Sequence, residues 1–258
     1  LSVIEANTLD ALTEGTITGS ISASERVSSL IDLTGNNDYG ITISEEDALS
    51  SQVSDLNTIN GKTTGLVNLT NVESVTSSIS DLQLFANAVS DGDFINANEA
   101  VSIALTDSTL SLTDLNFAIE TSNTLNEEEG AITTFSLSDG ATINTGDESA
   151  FITLLTSVEN GQLTITNQNL IVDSGTLSVA TANDLDAITE GTVTAEIATD
   201  STVDSLATLT GTNAYTITIS SLDLVGSTAE ELIRIDNATT ETVNAVSYTH
   251  LTLPTTPV

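Results

Sequence analysis

The chain has 258 residues, enough to bury a core as one large domain or as a run of smaller units. Its 37 Asp and Glu stand against three Lys and Arg (Arg26, Lys62 and Arg234), a formal net charge of −34. That excludes nucleic acid as a partner, which needs clustered Lys or Arg, and argues against an anionic membrane surface or membrane insertion. Cys, Met and Trp are absent, which removes disulfides, thiolate metal sites and cysteine nucleophiles. Without Met, Leu1 is no natural start, so the sequence is expected to be a piece of a longer chain, with any signal peptide outside it. A chain this acidic could be disordered, but 39% of its residues are hydrophobic and its mean hydropathy is +0.15. Leu, Ile and Val recur without a long polar interruption, so the chain is expected to fold.

Strand-like runs begin near residues 16, 41, 64, 101, 131, 163, 176, 192 and 216. Between them the apolar period changes. Val27, Leu30 and Ile31 suit a helical turn, as do Val53, Leu56 and Ile59. Val72, Val75, Ile79, Leu82, Phe85 and Val89 lie on one helical face and predict a helix near 72–89. Leu232, Ile233 and Ile235 form a less regular cluster after Thr228-Ala229-Glu230-Glu231.

The strongest signal is a repeat. Residues 6–44 align without a gap to residues 182–220, at an offset of 176, with 23 of 39 positions identical. The chain therefore reads as a repeat block over 1–90, divergent central repeats over 91–181 and a second block over 182–245 that duplicates 6–44. Strands alternating with helical turns at this period predict a mainly β fold with short helices, a right-handed solenoid of parallel strands closed by helical turns. A tandem β-sandwich array is the alternative, since strand propensity and Thr content fit it equally. The core is expected to hold Leu9, Leu12, Ile17, Ile21, Val27, Leu30, Leu33, Ile41 and Ile43 with their counterparts 176 residues on.

The last residues stand apart. Val246 to Thr255, VSYTHLTLPT, resembles one reading frame of a sequencing-library adapter, which implies a non-native tail over 246–258; a genuine Thr-rich linker is the other reading. That tail holds the only histidine, His250, and both prolines, Pro254 and Pro257. General acid–base catalysis most often recruits His. A glycosidase pair would need aromatic sugar platforms, and aromatics are 3% of the chain. The sequence therefore points away from an enzyme.

The densest group of oxygen ligands is Asp91, Asp93, Asn96, Asn98 and Glu99 around Gly92. Calcium takes six to eight hard oxygens, and alternating Asp and Asn in a Gly-kinked loop can supply them. The segment Asp93-Phe94-Ile95-Asn96-Ala97-Asn98-Glu99 resembles the D-x-I-N-x-x-E opening of Ig-like extender domains in large secreted bacterial adhesins. That resemblance implies Ca²⁺ at the junction after the predicted helix; a solvated acidic turn is the other reading. Glu127-Glu128-Glu129-Gly130 reads as a solvated run.

Thr-x-Thr occurs at Thr16/Thr18, Thr164/Thr166, Thr192/Thr194 and Thr216/Thr218. With a side-chain period of two, both Thr of a pair face one way. This feature resembles ice-binding solenoids, although Thr is also an ordinary solvent-facing strand residue. Tyr39 and Tyr215 occupy matching repeat positions and read as structural rather than sugar-binding.

The repeat as a whole, with Asp55-Leu56-Asn57-Thr58-Ile59-Asn60-Gly61-Lys62-Thr63-Thr64-Gly65 and its relatives, resembles Thr- and Asp-rich repeats of giant surface or secreted proteins of marine bacteria, cyanobacteria among them. The resemblance implies an extracellular or cell-surface, structural or adhesive role. Its partners would be neighbouring repeats of the same parent chain and a surface or cell ligand. The alternative is a module binding ice or carbohydrate on a Thr-rich strand face.

Overall fold

The computed structural model describes residues 1–95, 101–125 and 134–245, with the side chains of residues 122–125 and 145 left aside. In chain order its elements are α1 (Val3–Asp10), β1 (Thr18–Ser20), α2 (Val27–Leu30), β2 (Asp38–Thr42), β3 (Ser51–Gln52), α3 (Val53–Asn60), β4 (Val67–Asn68), β5 (Ser74–Ser77) and α4 (Ile79–Ser90). There follow β6 (Phe94–Ile95), β7 (Ser102–Leu105), β8 (Thr109–Ser111), α5 (Leu112–Leu125), β9 (Phe135–Leu137), β10 (Thr142–Thr145), α6 (Glu148–Glu159) and β11 (Leu163–Thr164). The chain ends with β12 (Asn169–Val172), α7 (Val179–Ile188), β13 (Val193–Glu196), α8 (Val203–Leu206), β14 (Ala214–Thr216), β15 (Thr218–Ile219), α9 (Ala229–Asn237) and β16 (Asn244–Ala245). Two compact units are formed, Leu1–Ala141 with Thr156–Ile165, and Thr142–Leu155 with Thr166–Val258.

The first unit holds two sheets, ordered β1-β2-β4-β6 and β11-β9-β7-β5-β3. Each neighbouring pair is parallel. Parallel neighbours need a crossover between them, and here a helix or a short turn provides it. In-register apolar residues stack strand upon strand. Ile41, Val67 and Phe94 form one buried row, and Val75, Ile103, Phe135 and Leu163 form another.

The second unit repeats the design with β10-β12-β13-β14 in parallel order, and β15 beside β16. Ile143, Leu170 and Val193 make its central row, each fully buried. Each unit is thus a solenoid-like stack of coils with mixed strands and short helices. Every pairing given above is parallel, which sets the sandwich array aside.

Local sequence explains the helices. Val53, Leu56 and Ile59 put one buried stripe on α3, and Ile79, Leu82, Phe85 and Ala88 do the same on α4. Ser78 caps α4 by accepting from the Asp81 amide at 3.1 Å. Ser2–Glu5 and Thr228–Glu231 form capping boxes on α1 and α9. The helix expected over 72–89 begins later, because Val72 lies in a turn and Val75 belongs to β5.

The expected core is largely present: Ile21, Val27, Leu30, Leu33, Ile41 and Ile43 are buried, as are Leu185, Val193, Ile197, Val203, Leu206, Ile217 and Ile219. Leu9 and Leu12 are corrections, since both are exposed in the first coil. Ile17, Ile188 and Leu209 are only partly covered.

Candidate functional site

The residues put forward for calcium follow α4. Asp91 closes that helix, its amide donating to the carbonyls of Asn87 and Val89. Gly92 then takes φ +82°, which turns the chain back into β6. Asp91 and Asp93 are exposed. The Asp93 carboxylate accepts from Asn60 Nδ2 at 3.2 Å, so it ties the turn to the end of α3 in the preceding coil. Asn96, Asn98 and Glu99 lie outside the described residues, as do Glu127, Glu128, Glu129 and the tail 246–258. Among the described residues no three His, Cys, Asp or Glu side chains converge as metal ligands.

The Thr-x-Thr pairs do face outward from β13: Thr192 and Thr194 are exposed around buried Val193. They do not align between coils. Thr194 lies opposite Ala214 and Ile171, while Thr216 lies opposite Glu196. A flat in-register Thr array is therefore not formed in this sheet. Thr18 and Thr164 belong to other sheets, Thr18 opposite Asp38 and Thr164 opposite Ser136.

The threonines that matter most to the architecture are different ones, and they face inward. Thr63, Thr189 and Thr239 are buried, each two residues before a Gly or Glu that opens the next turn. Thr63 Oγ1 accepts from the amides of Tyr39 at 2.9 Å and Gly65 at 2.8 Å. Its proton points to the carbonyls of Tyr39 at 2.8 Å and Asn37 at 3.0 Å. A hydroxyl has one donor and two acceptor sites, and here all are used. Thr239 repeats the pattern with the Tyr215 amide at 3.0 Å, the Glu241 amide at 3.0 Å and the Tyr215 carbonyl at 2.7 Å. Thr189 donates to the Gln168 carbonyl at 2.6 Å and accepts from Gly191. Thr63-Thr64-Gly65 and Thr189-Glu190-Gly191 share a T-x-G signal legible in the sequence, which Thr239-Thr240-Glu241 lacks.

A second lock runs through asparagine. Buried Asn37 accepts from the Ile17 amide and donates to Asp10 Oδ1, both at 2.9 Å. Buried Asn213 does the same with the Val193 amide and Asp186 Oδ1, both at 2.8 Å. The bond from Asn37, followed by Thr34, holds the Asp10 carboxyl below its ordinary range. Gly211, at φ +69°, leaves the space the acid occupies: a Cβ there would stand 2.0 Å from Asp186 Oδ1. Asn7 and Asn183 complete the set on the helix side, donating to the carbonyls of Asp32 and Thr208 and accepting from the amides of Thr34 and Thr210.

Carboxylates also cap neighbouring helices. The Val3, Val27 and Ile79 amides, each the first residue of a helix, donate to Glu25, Asp47 and Asp107 one coil further on. Asp47 is buried and meets Arg26 as well, accepting from Nε at 2.8 Å. Burial alone would push this carboxyl up; the Arg26 guanidinium and the Val27 amide outweigh it and hold it low. Glu148 reaches the other way, accepting from Thr181 Oγ1 at 2.5 Å and from the Ser178 amide at 3.0 Å, and those bonds lower it too.

Tyr39 and Tyr215 are fully buried, as expected of structural residues, and burial raises both phenols. Tyr215 Oη donates to the Ala182 carbonyl at 3.2 Å, whereas Tyr39 Oη is buried without a partner.

Chemically, these groups can bind one coil to the next. Comparison with protein families, curated proteins and solved structures finds no match for this chain.

Proposed function

We propose that the chain is a non-enzymatic structural segment, with an adhesive role, of a large secreted or cell-surface repeat protein. One observation carries this reading. Buried polar side chains that could do chemistry elsewhere, Asn37, Thr63, Asp47, Asn213, Thr189 and Thr239, are spent on bonds from coil to coil. The bonds of Asn37 and Thr63 recur 176 residues on in Asn213 and Thr239, as expected where selection acts on the stack. Strong negative charge with almost no Lys suits salty water, where the Debye length falls to roughly 3–8 Å and self-repulsion is screened. In this reading the coils bear load between neighbouring repeats, and Ca²⁺ held at Asp91, Asp93, Asn96, Asn98 and Glu99 stiffens the junction after α4.

The test is single-molecule force spectroscopy of the chain held between well-characterised handle domains. A load-bearing segment gives reproducible unfolding peaks that return after relaxation. A chain that extends without a resolvable peak contradicts the reading.

A further inference from the structure

The chain contains its own control for the first coil. Leu1 donates to the Ser20 carbonyl at 2.8 Å and accepts from the Ser22 amide at 2.8 Å. At an offset of 176, Leu177 donates to the Glu196 carbonyl and accepts from the Ala198 amide at the same distances. The two coils are thus built alike from their first residue, but their outer sides differ. β13 is flanked by β12, with Leu170 opposite Val193 and Ile171 opposite Thr194. The Leu170 amide donates to the Thr192 carbonyl at 3.0 Å, and the Thr192 amide donates to Asn169 Oδ1 at 3.0 Å. β1 is instead the edge strand of its sheet.

The side chains record the difference. Leu185 is 0% exposed, and its counterpart Leu9 is 40% exposed. Leu12 is 78% exposed where Ile188 is partly covered, and Val193 is buried where Ile17 is only partly so. An exposed leucine alone means little. Leu9 and Ile17 have duplicates that are buried in the coil flanked by β12, and that difference specifies what would cover them.

We infer that the outer face of the first coil, formed by the β1 edge with Leu9, Leu12 and Ile17, is a docking surface for one further coil of the same construction. The occupant is a helix followed by a parallel strand with the Asn-Leu-Ile-Val pattern of Asn169–Val172. Its leucine amide donates to the Thr16 carbonyl, its asparagine accepts from the Thr16 amide, and its leucine side chain meets Ile17, as in β12 against β13. The sheet interface is then continuous past β1. This rests on the reading of the chain as a segment of a repeat protein.

The test is the full chain with a copy of residues 148–176 joined ahead of Leu1, reproducing the natural Thr176–Leu177 connection. The melting midpoint should rise by at least about 2–4 °C. Leu9→Ser should lower the midpoint of the grafted chain clearly and that of the parent little. Placing Asp at the Leu170 position of the graft should abolish the gain. A grafted chain that melts with the parent overturns the inference, whether the added segment folds alone or hangs loose. Concentration-dependent association of the parent in the ultracentrifuge, abolished by Leu12→Asp, would assign the face to a second copy and overturn it too. Absence of force peaks with the graft effect intact would remove the load-bearing role and leave the docking surface standing.

Discussion

Thr63 and Thr239 show how much one hydroxyl can hold when it is buried between coils. Thr239→Val keeps the shape but leaves the Tyr215 and Glu241 amides without their acceptor. An unsatisfied buried group costs about 1–3 kcal/mol, so we expect a loss of about 2–4 kcal/mol in denaturant unfolding. Thr194→Val, on the exposed face of β13, should change stability by no more than about 0.5 kcal/mol. Equal effects at the two sites would contradict the lock. Asp47 sets a pH dependence. Its folded carboxyl is held low by Arg26 and the Val27 amide against the push of burial, so its stabilisation is present above the unfolded value near 3.9 and is lost as pH falls through the folded value. The melting midpoint of the native chain should therefore drop on acidification below about pH 4, and Asp47→Asn should flatten part of that drop while costing about 1–2 kcal/mol at neutral pH. An unchanged acid limb in the variant would contradict this role. Outward Thr-x-Thr pairs are legible in the sequence, whereas the role of Thr63 and Thr239 is not, because period two locates a face, not a bond. Hydrogen bonds across 20 to 30 residues leave no local trace, and only the T-x-G shared by Thr63 and Thr189 hints at them.

Secondary structure was legible where apolar residues were dense. The runs at 41, 101 and 192 correspond to β2, β7 and β13, and the stripes at 53–59 and 79–89 lie on α3 and α4. The polar two- to four-residue strands were not: Ser51–Gln52 and Ser74–Ser77 have little intrinsic strand preference. They are strands because neighbouring coils present parallel partners, Ser51 against Val75 and Val75 against Ile103. Likewise α1 buries Val3 and Ala6, whereas Leu9, expected in the core, is exposed. The turn after α4 was legible as a Gly-kinked acidic segment. Its ligand role is a matter for calcium itself. Calcium should raise the melting midpoint more than an equal concentration of magnesium, and both Asp91→Asn and Asp93→Ala should shrink that difference. The shift is the readout, because Asp93→Ala also breaks the bond to Asn60 and lowers the midpoint without metal. Equal shifts from the two ions, or a shift untouched by both substitutions, would leave the segment a solvated turn.

At the scale of the molecule, a 176-residue offset was readable as duplication because apolar volumes are kept between the copies. The structure adds why the polar positions are kept as well: Asp10 and Asp186, Asn37 and Asn213, Tyr39 and Tyr215 hold matching places in matching coils. It also shows that some of the acidic charge is employed, with Glu25, Asp47, Asp107 and Glu148 bonded to the starts of helices in adjacent coils. Fold and proposed function both rest on consecutive coils stacking in parallel and in this register. A chain without cysteine allows the register to be measured directly by disulfide trapping. Adjacent strands lie about 4.8 Å apart, within the reach of a disulfide. Thr194→Cys with Ala214→Cys places two outward residues opposite each other, and under mild oxidation this pair should close rapidly and nearly completely. Thr194→Cys with Thr216→Cys, displaced by two residues, should not. Preferential closure of the displaced pair, or of neither, would contradict the parallel stack.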